Sequence, residues 1–273
     1  MTSHSAALRH SVGLAFDGLA ERYDGIFTHS LIGRAQRDAV WSVAGRTFQR
    51  GNHILELNCG TGEDALFLVR LGTSVIACDA SEKMIAVANR RRLREAPRSP
   101  LRFEVLPTEQ IAAAALFGPF DGIFSNFSGL NCICDVAEIA QQLATLVLPG
   151  SPALLCFSTR LCLWETLWFV LRGEAGRAIR RWKGRATATL GQLAIEVHYP
   201  TINCLRKLFS PFFVLRSWTG IGIAVPPSYL EPFVRRHPGL LRQLCAIDEV
   251  ICSWPGLRSV GDHVLLSFER TCS

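Results

Sequence analysis

Between residues 52 and 158, short apolar runs of strand length alternate with segments of helical period. NHILELN (52–58), TSVIACD (73–79), LRFEVLP (101–107), FDGIFSN (120–126) and SPALLCFS (151–158) each predict a strand. Continuous apolar runs of this kind mark strands covered on both faces, as in a parallel sheet. Helices are predicted at 63–71, 81–96, 109–117 and 135–147, with Ser81 as the N-cap of the second. This order restricts the chain to right-handed βαβ units, and hence to an α/β, doubly wound sheet.

The flanks follow other rules. Residues 5–48 read as two helices, with Leu8, Val12, Leu14, Phe16 and Leu19 in the first and Val40, Trp41 and Val43 in the second, separated by the looser YDGIFTHSLIG. After 158 the alternation stops. LCLWETLWFVLRG is a dense aromatic helix, followed by the basic EAGRAIRRWKGR and by a predicted hairpin at 186–200. TINCLRKLF reads as a short helix, FVLRSWTGIGIAV as a strand, 228–247 as a helix interrupted by Pro232 and Pro238, and GDHVLLSFER as a final strand. No internal repeat or low-complexity linker breaks the chain, so one domain over 1–273 is expected. It divides into an amino-terminal helical lid (1–48), a ligand-binding core (49–159), an inserted helix–hairpin cap (160–205) and the end of the sheet (206–273).

The junction ILELNCGTGEDA (54–65) ends a buried strand in Cys59-Gly60-Thr61-Gly62 and restarts at once as a helix. Glycines so close abandon side-chain packing and permit positive φ, which suits a sharp turn that lets a ligand approach the backbone. In doubly wound folds, ligands bind beyond the carboxyl ends of the strands at such a turn. Ala65 completes a permitted G-x-G-x-x-A. Glu56, inside the first strand, would repel a pyrophosphate but suits a cationic amine. Asp79 closes the second strand in position to bind both ribose hydroxyls of an adenosine.

E-L-N-C-G-T-G (56–62) with C-D-A-S-E-K-M (78–84), and F-D-G-L-A-E-R-Y-D (16–24) upstream, resembles the class I S-adenosylmethionine-dependent methyltransferases, close to the type 11 and ubiquinone/menaquinone-biosynthesis members. The resemblance covers about residues 15–160 well and the remainder in outline. It implies a Rossmann-like, seven-stranded sheet with one antiparallel strand, which GDHVLLSFER fits as a terminal hairpin partner. It implies S-adenosylmethionine as cofactor and S-adenosylhomocysteine as product. By the same resemblance Glu56 and Gly60 serve the methionine end and Gly62 close packing, and Asn58 is a further cofactor-binding residue. Asp79 serves the ribose, and Ala80 and Met84 the adenine surroundings. Tyr23 covers the cofactor from the lid, and Asn126 lines the methyl-transfer channel. Pro107-Thr108-Glu109 stands where the family often has an acidic residue, so Glu109 or a backbone group is the expected adenine contact, with Thr108 as a further cofactor-binding residue.

The expected activity is methyl transfer to oxygen, carbon or nitrogen of a small, hydrophobic molecule. Retention of the cofactor without transfer, or RNA methylation, is the alternative. His29, between the lid helices, and His198, in the hairpin beside Tyr199, are the candidate bases if the nucleophile holds a proton. V-P-P-S-Y (225–229) follows too late a strand for the D/N-P-P-Y of nucleobase amino-methylating enzymes and reads as a helix start. No appended basic domain argues for nucleic acid. The apolar face of 161–171 caps a hydrophobic substrate, with peripheral membrane contact as a second expectation. Arg90, Arg91, Arg92, Arg94 and Arg98 read as a solvated helix end. The net charge of +6 is mild, and 49% hydrophobic against 19% charged residues excludes a disordered chain. Ten irregularly spaced cysteines without a CxxC predict reduced thiols and no metal site. MTSHSAALRHSVGL lacks the layout of a secretory leader, so the cytoplasm is the expected compartment.

Overall fold

The computed structural model describes residues 13–190 and 193–272. Leu8 and Val12 of the predicted first helix, and the glycine at the tip of the predicted hairpin, lie outside them. The chain enters through helical residues 13–17, Ala20–Tyr23 and a π-helical turn Asp24–Thr28. Ser30 then caps α1 (Leu31–Thr47), its hydroxyl accepting from the Gly33 N–H at 2.9 Å. The looser middle of the lid is therefore the π turn.

The core alternates as its patterning predicts: β1 (His53–Leu57), α2 (Glu63–Arg70), β2 (Ser74–Asp79), α3 (Glu82–Glu95), β3 (Leu101–Val105), β4 (Gly122–Ser125), α4 (Val136–Leu146) and β5 (Pro152–Ser158). Ser81 caps α3, accepting from the Met84 N–H at 3.1 Å. The segment predicted as a helix at 109–117 is a 3₁₀ helix, Thr108–Phe117, broken at Gln110. Beyond β5 come α5 (Leu163–Leu171), the antiparallel pair β6 (Arg185–Leu190) and β7 (Leu193–His198), α6 (Ile202–Phe209), β8 (Phe213–Ile221), α7 (Pro238–Ile251) and β9 (His263–Arg270). Pro232 and Pro238 each sit in the first turn of a helix, where a missing N–H costs nothing, so they start two helices instead of interrupting one.

The sheet order is β3-β2-β1-β4-β5-β9-β8. The five core strands run parallel, and β9 is antiparallel to both neighbours. β9 is therefore the antiparallel strand that the resemblance implies, and it lies between β5 and β8. Side chains alternate across the sheet. Leu55 and Leu57 face a core closed by Ile139 and Leu143 of α4 and Leu205 and Phe209 of α6. Ile54 faces a second core closed by Val40 of α1, Leu66 of α2 and Ile85 of α3. Glu56 shares the face of Ile54, a consequence of the two-residue period of a strand.

Candidate active site

At the carboxyl end of β1 the backbone turns through Asn58, Gly60 and Gly62, all at positive φ (54°, 53° and 80°), before α2 begins. The two glycines serve different ends. A Cβ on Gly62 would lie 2.5 Å from the Phe103 ring and 3.0 Å from Ala88, so Gly62 admits close packing of α2 on β3 and α3 and does not line the cleft. A Cβ on Gly60 would meet no protein atom within 4 Å, and Gly60 does line the cleft. Asn is among the few side chains that tolerate this backbone region. Its Nδ2 donates to Thr108 Oγ1 at 3.0 Å, which fixes the turn against the segment after β3.

Asp79, at the end of β2, holds the turn from the other side. Its Oδ2 accepts from the Gly60 N–H and its Oδ1 from the Ser81 N–H, each at 2.9 Å. Burial nonetheless pushes its carboxyl above the ordinary value, against the pull of these donors. The lid is tied to the same turn. Asp24 Oδ1 accepts from Thr61 Oγ1 at 2.6 Å, while Arg91 pairs with Asp24 and, at 2.5 Å, with Glu63. Arg91 is only 3% exposed, so the arginine run is not simply a solvated helix end. Its face toward the lid is structural.

Around the turn, three buried polar atoms lack hydrogen-bond partners: Glu56 Oε2, Asn58 Oδ1 and Arg37 Nε. Buried polar groups are nearly always paired, so such orphans mark a ligand's place. Glu56 is 1% exposed, and burial, aided by the Asp64 charge, pushes its carboxyl well above the usual range. It stands behind the turn and does not itself line the cleft. Asp64 is the centre of the opposite wall. It pairs with Arg37, accepts from Trp41 Nε1 at 2.6 Å, and takes the Asn126 amide at 3.3 Å. After β4, Phe127 and Ser128 both adopt positive φ (47° and 65°), strain of the kind stored at functional sites. The Asn126 side-chain Oδ1 stabilises it by accepting from the Phe127 N–H at 2.8 Å.

Among the sequence-predicted cofactor residues, Tyr23, Asn58, Gly60, Asp79, Ala80, Met84 and Asn126 line this one cleft. Glu56, Gly62, Thr108 and Glu109 do not. Thr108 is buried as the acceptor for Asn58, and Glu109 offers only its backbone carbonyl, to Gln142. The cleft opens into a cavity of about 350 Å³, with which it shares Phe16, Tyr23, Arg37, Phe127, Gly129 and Cys132.

The two histidines expected to serve as bases do not line this cavity. His29 is exposed after the π turn. On β7, Ile195 and Val197 face inward, so alternation turns His198 outward, to within 3.7 Å of Cys134 Sγ and 3.8 Å of Glu196. The histidine in the cavity is His263. Burial pushes its imidazole below its ordinary pKa, opposed by Asp262, whose Oδ2 lies 3.5 Å from Nδ1. The Phe127 ring meets it edge-on at 5.6 Å between centroids. Its signal was present in the sequence: β9 is antiparallel, so its first residue, paired with Ser158, lies at the carboxyl end of β5, where ligands bind.

The cap also differs from expectation. Its apolar side chains Leu161, Leu163, Leu167, Val170 and Leu171 point to solvent. What it gives the cavity, besides Ile195 and Val197, is Glu165, Arg180 and Arg181. Glu165 accepts from Arg180 at 2.6 and 2.9 Å and from Arg181 at 2.9 Å, and Arg181 reaches Asp262 at 2.8 Å. Asp262 also takes Gln36 of α1 at 3.3 Å. Burial alone would raise Asp262; His263, Arg181 and these donors lower it instead. Val225-Pro226-Pro227-Ser228-Tyr229 does start a helix, but Pro227, Ser228 and Tyr229 also line the cavity.

Comparison with known proteins agrees with the fold and the turn. Residues 54–150 match the family model of a methyltransferase domain. Over 156 residues the chain is 29% identical to demethylmenaquinone methyltransferase of Mycobacterium marinum, covering 54% of this chain and 60% of that protein. It is 35% identical over 166 residues to mouse (Mus musculus) glycine N-methyltransferase, covering 51% and 54%. The chain thus spans about 60% of the length of the demethylmenaquinone relatives it matches. Its fold is shared with an S-adenosylmethionine-dependent methyltransferase from Mesorhizobium loti (TM-score 0.54, 15% identity, 86% and 98% coverage). It is also shared with the [4+2]-cyclase SpnF (TM-score 0.64, 14% identity, 97% and 96% coverage). Over residues 54–150 the chain is thus similar to methyltransferase domains, and the similarity to named relatives covers about half of it. The relatives matched over that half carry the names demethylmenaquinone methyltransferase and glycine N-methyltransferase.

Proposed function

We propose that this chain binds S-adenosylmethionine at the glycine turn and transfers its methyl group to a small molecule held in the adjoining cavity. The observation that carries this reading is the continuity of the two spaces across Tyr23, Arg37 and Phe127. The residues present fit the cofactor. Its amino-acid end carries one ammonium and one carboxylate, and the unpartnered Asn58 Oδ1 and Arg37 Nε, on two residues that line the cleft, offer one acceptor and one donor. Asp79 would take the ribose with the lone pairs its backbone donors leave free, and Ala80 and Met84 would flank the base. Bound there, the cofactor supplies an electrophilic methyl group on a sulfonium.

The protein's part is alignment, exclusion of water and removal of a proton. The cavity's charges are balanced internally, Arg37 by Asp64 and Arg180 with Arg181 by Glu165 and Asp262. A neutral acceptor therefore fits better than a strongly anionic one. At about 350 Å³ the space suits a small molecule and not a nucleic-acid strand. His263, kept neutral by burial, is the base we assign: it takes a proton from a hydroxyl of the acceptor, and the resulting imidazolium faces Asp262. The test is transfer of radiolabelled methyl to an organic extract and, separately, to total RNA. The reading expects label in the extract. Label in RNA alone would overturn it, and so would a protein that binds the cofactor yet labels neither, which is the behaviour of a non-transferring relative.

A further inference from the structure

The outer face of α5 presents a contradiction that methyl transfer does not absorb. Leu163, Leu167, Val170 and Leu171 are 45%, 50%, 57% and 84% exposed, at the i, i+4, i+7, i+8 spacing of a single helix face. Leu161, Ile179 and Trp182, on either side in sequence, are also exposed. The inner face is fully committed: Phe169 is buried, Glu165 joins the cavity network, and Trp164 and Trp168 pack on Ile32, Val225 and Leu230. The helix is thus held rigidly with its apolar stripe outward. Large exposed apolar patches on a stable scaffold mark interaction sites.

Charge selects the partner. Residues 160–185 contain seven arginines and lysines against two glutamates, and five of the seven remain once Arg180 and Arg181 are set aside for the cavity network. Glu165 is buried, and Glu174 pairs with both Arg172 and Arg177, leaving the rim cationic. Arg172 and Arg177 have side chains 58% and 61% exposed, and Arg185, 76% exposed, lies 3.7 Å from Glu196 of β7. A second copy docking through the same patch would bring two cationic rims together, because a two-fold interface apposes like with like. An apolar stripe rimmed by arginine is complementary instead to an anionic lipid surface, where leucines enter the acyl boundary and cations meet phosphates. No helix among the described residues is long and apolar enough to cross a membrane, so the contact is peripheral.

We infer that the outer face of α5 docks this protein on anionic membranes. The inference does not depend on methyl transfer, and its test needs no cofactor. The full chain is floated with vesicles of phosphatidylcholine alone and of phosphatidylcholine with phosphatidylglycerol, at low and high salt. We expect binding to the anionic vesicles that weakens with salt. The double variant Leu167→Glu, Leu171→Glu is expected to bind about tenfold or more weakly, since it replaces insertion by repulsion. Leu116→Glu, at an 86% exposed leucine of the 3₁₀ helix, should bind like wild type. Thermal melts of both variants should match wild type, because the altered side chains are solvent-facing. Absence of vesicle binding by wild type overturns the inference, and so does equal binding by the double variant. A concentration-dependent dimer that the double variant abolishes, without vesicle binding, would assign the face to a second copy instead.

Discussion

Replacing Asp79 by Asn perturbs the turn at its fastening point with almost no change in volume. The native carboxylate accepts from two backbone donors, the Gly60 and Ser81 N–H groups, each at 2.9 Å. A carboxamide keeps one acceptor and presents an NH₂ to the other donor, so one N–H in the buried turn loses its partner. Hydrogen bonds to a charged group contribute about 1.5–3 kcal/mol each. Burial raises the Asp79 carboxyl despite both bonds, so removing the charge offsets part of that loss and the lower end of the range is expected. The unliganded variant should therefore be about 1.5 kcal/mol less stable in urea unfolding followed by circular dichroism. Affinity for S-adenosylhomocysteine, measured by calorimetry, should fall about tenfold or more, because Gly60 is no longer held toward the ligand and a ribose acceptor is lost. Asp79→Ala, which forfeits both bonds, should lose roughly twice the stability. A variant with unchanged stability and unchanged affinity would refute the argument that Asp79 fastens the turn.

The remaining expectations concern the residues around it. Gly129→Ala would place a Cβ 2.3 Å from Asn58 Cβ, so it should destabilise the protein by about 1–3 kcal/mol, and Asn58→Gly in the same chain should restore most of that in urea titrations. His263→Ala should slow transfer about 10²–10⁴-fold with cofactor affinity intact. In wild type, burial places the histidine below 6.5, so activity should decline only as pH falls beneath that value, and this limb should vanish in the variant. Burial raises Glu56 above 4.5, so the folded state holds its proton more tightly than the unfolded chain. Its contribution to stability is complete below about pH 4.5 and is lost as pH rises, so Glu56→Gln should gain in unfolding midpoint relative to wild type between pH 5 and 8.

Much of the core was legible because its signals are local. Each strand's apolar run, the Ser81 cap and the glycine turn with Asp79 are written within a few residues of one another. The turn even separates by chemistry: Gly60 faces a ligand, while Gly62 is spent on the Phe103 ring. The adjoining cavity was not legible because its wall is assembled across the chain. Arg181 meets Asp262 from 81 positions away, and Gln36 meets it from 226. Apolarity alone points the cap's leucines toward the cavity, but Glu165 shares their helix and is held inside by Arg180 and Arg181. His29 and His198 belong to the turn between the lid helices and to the cap hairpin. One sits past the π turn, and the other is on the outward half of a strand whose inward half is Ile195 and Val197.

The central claim is that the open side of Gly60 receives the cofactor, and a calorimetric titration of S-adenosylhomocysteine into wild type and Gly60→Val tests it most directly. Valine at φ 53° is strained, and its branches would enter the space that an added Cβ finds free within 4 Å. The account predicts one site per chain in wild type and no measurable binding in a Gly60→Val protein that retains its circular dichroism spectrum. Undiminished binding in a folded Gly60→Val, or none in wild type, would contradict it.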